Sequence, residues 1–384
     1  MKRFRKVIFW MHLISGVVAG IFIFIMCVTG ALLSFEKNII AFAERDMSQI
    51  VVPADAARLS TGEIVARAVE ARPGAKPSAV ALQNDPRAAV LVSFGRDGQV
   101  YVDPYTGAIT GEGATGVRSF FRTMTDWHRW LALSGENRQI GKSIMDAANF
   151  LFLFLAVSGV YIWFPRHWTR KHFGAVLWFR RTTSGKARDF NWHNVIGFWC
   201  SLVLIILTLT GVIISYQWAS NLLYTLTGNE VPRPQQQQSA PGGTKAPEEQ
   251  KSALPENIEA AVRTAENHTS WKSLSLRLPV TKDEAVFTVD EGIYWNIFAR
   301  STLTVDAKTG AVVKWEPYGE QNAARQLRSW ARFTHTGETG GFIGQLIGCI
   351  ACLGGAVLVW TGISLALRRF AGWRRRTAVA EISE

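Results

Sequence analysis

Four apolar runs, within 1–35, 143–165, 191–218 and 342–367, decide what this 384-residue chain can become. A bilayer core of roughly 30 Å takes about 20 residues of helix at about 1.5 Å each, and every run holds that many. In hydrocarbon a backbone must satisfy its own hydrogen bonds, so the runs are expected as membrane-crossing helices. The first run is too long to be a removable signal peptide and lacks the small-residue cleavage site. Two long polar segments remain, 36–142 and 219–341. The expected fold class is a membrane α-helical protein: four transmembrane helices with two external α+β domains.

Charge supplies the orientation. Lys2, Arg3, Arg5 and Lys6 precede the first helix, a basic loop at 166–190 joins the second to the third, and a basic tail at 368–384 follows the fourth. Four crossings put these on one face, which the positive-inside rule makes cytoplasmic, with both termini inside. The formal charge of +12 is explained by this distribution. The expected partner is the lipid bilayer, and nucleic acid is not one. Cys27, Cys200, Cys349 and Cys352 all fall inside helices, so a disulfide framework is not expected. The "CIAC" at 349–352 reads as small residues for close helix packing rather than as a redox pair.

The sequence is written twice. "HLISG…TGALLSFE" from His12 returns as "HNVIGF…TGVIISYQ" from His193, an offset of 181 (193 − 12) that Gly16/Gly197, Gly30/Gly211 and Ser34/Ser215 keep. Later elements keep 203 (306 − 103): "DPYTGAI" answers "DAKTGAV", Gly141 answers Gly344, and Gly159 answers Gly362. The extra residues are expected in the Pro/Gln/Gly-rich linker 231–256. Each half is a helix, an external domain and a returning helix, so the halves form a parallel tandem duplication. Each domain should hold a helix ("TGEIVARAVEA", with Thr61 as its cap, and "PENIEAAVRTAE"), then alternating strands and a "D-x-x-T-G" turn.

Two histidine pairs survive the repeat: His12 with His193, and His128 with His335. The second pair is offset by 207 rather than 203, which reads as an adjusted loop. His167, His172 and His268 have no counterpart and are set aside as surface residues. Parallel halves put matched residues at one depth, facing each other across the axis. An ionisable side chain inside a bilayer is costly and marks function by default, although a hydrogen bond to a neighbouring helix is the plainer alternative. Facing imidazoles at two depths describe bis-histidine ligation of haem iron. No repeated cysteine or carboxylate completes a tetrahedral zinc set.

The residues "TGALLSFE", "VDPYTGAI", "WHRWL", "TGVIISYQ", "VDAKTGAVV" and "THTGETGG", with His12 and His193, resemble the PepSY-associated transmembrane family over nearly the whole chain. Members of that family include ferric-siderophore reductases of the bacterial inner membrane, of the ferrioxamine type. The resemblance implies two periplasmic PepSY-like domains, haem b, most simply two per chain, and delivery of electrons to a ferric siderophore. His12 and His193 would ligate the inner haem, and His128 and His335 the outer one. The chain has no room for a dinucleotide-binding domain, so the electron donor is expected to be a separate cytoplasmic reductase or a membrane quinol.

Near the outer pair, Trp127, Arg129, Trp130, Trp330 and Arg332 offer a dock for a bulky polar chelate, although interfacial aromatics also serve as membrane anchors. Glu136 and Glu338 recur in "SGE" and "TGE" and are expected either to orient the outer histidines or to cap helices. Three rivals stay open: a siderophore or iron transporter, a non-catalytic PepSY signalling or binding protein, and a quinol-oxidising cytochrome of the b561 type. Haem content separates the first two from a reductase.

Overall fold

The computed structural model describes residues 2–54, 57–164, 174, 176–181, 184–232, 255, 257–280 and 283–382. In chain order the helices are α1 (Lys2–Leu33), α2 (Glu36–Ser48), α3 (Thr61–Ala71), α4 (Thr115–Trp130), α5 (Arg138–Trp163), α6 (Gly185–Ser215), α7 (Gln217–Leu226), α8 (Ile258–His268), α9 (Ala323–His335) and α10 (Gly341–Ile382). The strands are β1 (Ala79–Gln83), β2 (Val90–Ser93), β3 (Gln99–Val102), β4 (Ile109–Gly111), β5 (Ser273–Arg277), β6 (Glu284–Asp290), β7 (Ser301–Asp306) and β8 (Val312–Glu316). Two compact units result. One comprises Met1–Glu36, Phe120–Leu223 and Leu327–Glu384; the other comprises Lys37–Ser119 and Tyr224–Gln326.

The first unit is a membrane-embedded helical bundle. Among the described residues, 4 helices are long and apolar enough to cross a membrane, and they are α1, α5, α6 and α10. α1 packs on α5 and α10, and α6 packs on the same two, so α1 and α6 are diagonal partners. Small residues let the backbones approach, with Ala19, Ala148, Ala351 and Ala356 buried around Ile23, Phe152 and Leu204. Outward faces carry Val18, Leu202, Ile343 and Trp360, each more than half exposed. Such surface is stable only against lipid.

Helix ends depart from the sequence expectation. α5 starts at Arg138 and α6 at Gly185, ahead of the apolar runs at 143 and 191. The Ser184 hydroxyl accepts the Ala187 N–H at 3.3 Å and so caps α6. α10 continues through the basic segment after 367, where no proline stops it. His167, His172, part of the basic loop and nearly all of the linker 231–256 lie outside the described residues.

Where two separate external domains were expected, residues 37–119 and 224–326 form one compact unit. It contains a single antiparallel sheet in the order β4-β3-β2-β1-β5-β6-β7-β8. The join is β1 against β5, from Ala79↔Arg277 to Gln83↔Ser273. That pairing removes two exposed strand edges and merges what would be two small cores. Ile64, Val65 and Ala68 of α3 and Ala261, Val262 and Ala265 of α8 share one buried cluster with Val92, Val100, Phe287 and Leu303.

Local chemistry explains the elements of this unit. α3 is capped by Ser60, one residue before the expected Thr61. The Ser60 hydroxyl accepts the Glu63 N–H at 3.2 Å, and Glu63 accepts the Ser60 N–H at 2.8 Å. In both "D-x-x-T-G" turns the aspartate accepts backbone N–H groups ahead of it: Asp103 from Tyr105, and Asp306 from Lys308 and Thr309. Gly107 and Gly310 close these turns at φ 71° and 72°, where a Cβ is disfavoured. The extra residues of the second half do not all sit in the linker, because the β2–β3 connection covers 94–98 and the β6–β7 connection 291–300. Glu44 of α2, buried, accepts hydrogen bonds from Arg118, Tyr101, Gln99 and the Ala114 N–H. Burial opposes the charge, but these donors, Arg118 first, hold the carboxyl below its usual range.

Candidate functional site

All four repeated histidines fall in the bundle unit. His12 is on α1 and His193 on α6, the diagonal helices, within electrostatic reach of one another. His128 and His335 are carried by α4 and α9, and their ring centroids are 6.3 Å apart. On α1, seventeen residues separate His12 from Thr29, which touches His128, so the two levels lie about 25 Å apart. The buried layer of Ile23, Cys27, Phe152 and Leu204 fills the space between.

Each imidazole is held the same way. His12 Nδ1 meets the Ser158 hydroxyl at 2.8 Å, His128 Nδ1 meets Thr29 at 2.9 Å, His193 Nδ1 meets Thr361 at 3.0 Å, and His335 Nδ1 meets Thr210 at 3.3 Å. These hydroxyls obey the repeat, Thr29/Thr210 at 181 and Ser158/Thr361 at 203. Each already donates its one proton to a carbonyl of its own helix: Thr29 to Ile25 at 2.7 Å, Thr210 to Ile206 at 2.7 Å, Thr361 to Val357 at 2.8 Å and Ser158 to Leu155 at 3.3 Å. A hydroxyl so engaged accepts from the ring, an arrangement matched by an imidazole with its proton on Nδ1. His335 gives the same answer directly, because its Nδ1 also meets the Leu207 carbonyl at 2.9 Å and a carbonyl only accepts. Among the described residues no hydrogen bond engages Nε2 of any of the four. In that tautomer each Nε2 keeps a free lone pair, as a ligating histidine needs.

A glycine follows each hydroxyl residue and makes room for a ring. A Cβ on Gly159 would stand 3.4 Å from His12 Cε1, one on Gly362 3.3 Å from His193 Cε1, and one on Gly30 3.3 Å from His128 Cε1. At Gly211 the neighbour is Asn149 instead, 2.8 Å from the same position. The hydroxyl–glycine pairs 29–30, 158–159, 210–211 and 361–362 were visible in the sequence. Their role was not, because which helix faces which is a tertiary fact.

The outer pair suits a metal ion held between two imidazoles. With bonds of about 2 Å from a metal to each ring nitrogen, opposed imidazoles have centroids about 6 Å apart, and the outer pair has that spacing. Among the described residues no group of three or more His, Cys, Asp or Glu is gathered to hold a metal ion, so protein ligands alone would not complete a coordination shell here. A macrocycle supplying four equatorial nitrogens would.

Other expectations are corrected. Trp127/Trp330 and Arg129/Arg332 keep the 203 offset along α4 and α9, so the loop has not moved. His335 is displaced by four residues, one helical turn, and stays on the same face. Glu136 and Glu338 do not hold the outer imidazoles, whose Nδ1 atoms are taken by Thr29, Thr210 and Leu207. Glu338 is instead buried and accepts from the Thr336 hydroxyl at 2.9 Å. Trp130 carries the Arg129 guanidinium 4.5 Å from its ring centroid and also Arg138, which the sequence did not single out, at 3.8 Å. Trp127 is 40% exposed, Trp330 is half-buried, and Arg332 lies 5.8 Å over Phe333. The cysteines are free and fill glycine spaces, with Cys352 Sγ over Gly30, Cys200 over Gly354 and Cys27 over Gly355.

The sequence model described as the PepSY-associated TM region matches residues 9–369. No curated protein matches the chain.

Proposed function

The chain belongs to the PepSY-associated transmembrane family, and from that premise we propose a haem-containing reductase of the bacterial cytoplasmic membrane. In this reading the protein passes electrons across the bilayer to ferric siderophores in the periplasm. The observation that carries it is the shared setting of the four histidines, each with its Nδ1 proton tied to a committed hydroxyl and its Nε2 free. Helix glue would need no such tautomer at all four places. A tandem duplication with parallel halves accounts for the recurrence. In this reading both termini, with the basic helix ends, are cytoplasmic and the sheet unit is periplasmic, as the positive-inside rule favours.

His12 with His193, and His128 with His335, would hold haem at the inner and outer levels, and haem supplies a one-electron Fe(III)/Fe(II) couple at each. The hydroxyls hold each ring at a fixed tautomer and raise its donor strength. The packed layer of Ile23, Cys27, Phe152 and Leu204 excludes water between the levels. At the outer face one electron converts chelated Fe(III) to Fe(II), which hard oxygen chelators hold less tightly, so the cargo is released. The chain needs no acid–base group for that step. The electron enters from a separate cytoplasmic reductase or a membrane quinol.

The test is an absorption spectrum of the detergent-purified protein, oxidised and dithionite-reduced, with haem quantified per chain. A Soret band and sharp reduced α and β bands at about two haems per chain are expected, with His12→Ala and His128→Ala each removing about one. A colourless protein after expression with ample haem sinks the reading and returns the transporter and signalling alternatives.

A further inference from the structure

Positive charge gathers at the outer pair without an anion to balance it. Arg129 follows His128, Arg332 precedes His335 by three residues, and Arg138 opens α5. Arg129 lies in Coulombic reach of Arg138 and Arg332, and of both outer imidazoles. The carboxylate in that reach is Asp146, already paired with Lys142. Among the described residues none of the three guanidiniums has a carboxylate partner. Stacking on Trp130 occupies the flat faces of Arg129 and Arg138 and leaves their N–H edges as forks suited to carboxylates.

The inner level differs. There Arg188 and Arg368 share Asp189, at 2.9 and 3.6 Å, Arg5 donates to the Ile162 and Phe164 carbonyls, and a single guanidinium, Arg369, lies 5.0 Å over Phe9 and Trp10. Unbalanced like charges in a partly desolvated setting repel, so the outer cluster is built to be completed by an anion of about two charges. A haem brings two carboxylates on one edge of its ring.

We propose that Arg129, Arg138 and Arg332 form a carboxylate clamp for the haem held by His128 and His335, and raise its potential above that of the inner one. The inference rests on the haem reading above. Guanidiniums that offset the carboxylates remove charge that would favour ferric iron. The outer site is thereby the easier to reduce, which directs electrons outward.

The test is a spectroelectrochemical titration of the detergent-purified holoprotein, following the reduced α band. Wild type, Arg129→Gln, Arg138→Gln, Arg332→Gln and the triple Gln variant are compared, each also with His12→Ala so that the outer step is seen alone. In the triple variant the ferric-to-ferrous ratio of the outer haem should rise about tenfold at a given potential, a fall of about 59 mV for one electron, with the inner step unmoved. If the triple variant loses its outer haem, the triple Lys variant decides: haem regained near the wild-type potential supports a charge clamp, and haem still missing overturns it. An unmoved outer step with haem in place overturns the clamp alone, and weakened binding of an anionic ferric chelate in that variant would make the cluster a substrate dock. A colourless wild type overturns the haem reading and the clamp together.

Discussion

The two histidine levels use the same hydroxyl device on different foundations. The inner ligands sit on the crossing helices themselves, His12 on α1 and His193 on α6, and each leans on the next helix round the ring, Ser158 of α5 or Thr361 of α10. The outer histidines sit on α4 and α9, which are not among the four helices long and apolar enough to cross, and reach the crossing helices through Thr29 and through Thr210 with the Leu207 carbonyl. A tight turn then leads into α5, with Leu131 and Ala132 at φ 53° and 55°, unfavourable for non-glycine residues. The inner level is thus fixed by bundle packing, and the outer by local turns and hydrogen bonds to the neighbouring helices. The outer level also gathers Arg129, Arg138 and Arg332, which among the described residues have no carboxylate partner. Rigidity is placed where the two halves meet, and adjustable geometry at the outer level, the side from which the proposed reading brings the chelate.

The hardest blow to that contrast is Gly141→Ala. A Cβ there would fall on the Trp130 carbonyl oxygen, and one on Gly344 would fall on the Gly337 carbonyl oxygen. Backbone cannot yield as a side-chain tip can, so the turn that aims α4 must open. Gly141→Ala is expected to cost the outer haem and leave the inner one, so pyridine haemochrome assay should find about one haem where wild type has about two. Equal loss from both levels would show that they are not independently built.

A milder cut removes one hydroxyl from each level. Thr29→Val and Thr361→Val keep the side-chain shape and leave a buried Nδ1–H without its acceptor, at about 1–3 kcal/mol. Loss of such a supporting partner weakens metal-site affinity by about 10–100-fold. Haem release to apomyoglobin should quicken at the outer level in Thr29→Val and at the inner level in Thr361→Val, and Thr→Ser should restore both. The outer variant should suffer more, because His128 stands on α4, outside the four long apolar helices, whereas His193 is itself part of one. Equal effects would erase the distinction between the foundations.

The sequence made the bundle readable because length and apolarity suffice to call a membrane helix. The repeat singled out His12, His193, His128 and His335 because an offset of 181 or 203 is visible without knowing any contact. What stayed hidden needed a partner far along the chain. "AVALQ" and "SLSLR" are short and only mildly alternating, so nothing announced that β1 and β5 would pair and fuse two domains into one sheet. Thr29, Ser158, Thr210 and Thr361 were in view, but Ser and Thr in membrane helices commonly bond their own backbone, and only the fold shows the imidazole on the other side. Arg138 was passed over because a strained turn, not sequence proximity, brings it over Trp130. His335 looked like a loop adjustment because an offset of 207 hides a shift of one helical turn.

The smallest expected effect is also the most selective. At Gly362 an added Cβ meets only His193, 3.3 Å from Cε1 and 3.8 Å from Nδ1, whereas at Gly30 it meets both His128 and the Cys352 sulfur at 3.3 Å. Contacts of that length ask the neighbour to give by a few tenths of an ångström. His193 is braced by its own helix and by Thr361, so it should answer by rotating slightly about its iron bond. Gly362→Ala is therefore expected to keep both haems and to change the electron paramagnetic resonance of the inner low-spin ferric iron, a signal sensitive to the angle between the axial ring planes. Gly30→Ala presses on His128, which stands on α4 rather than on a long apolar helix, and should move the outer signal further, toward the loss expected with Gly141→Ala. If Gly362→Ala moved the inner signal more than Gly30→Ala moved the outer one, the inner level would be the softer of the two, and the contrast drawn between their foundations would be reversed.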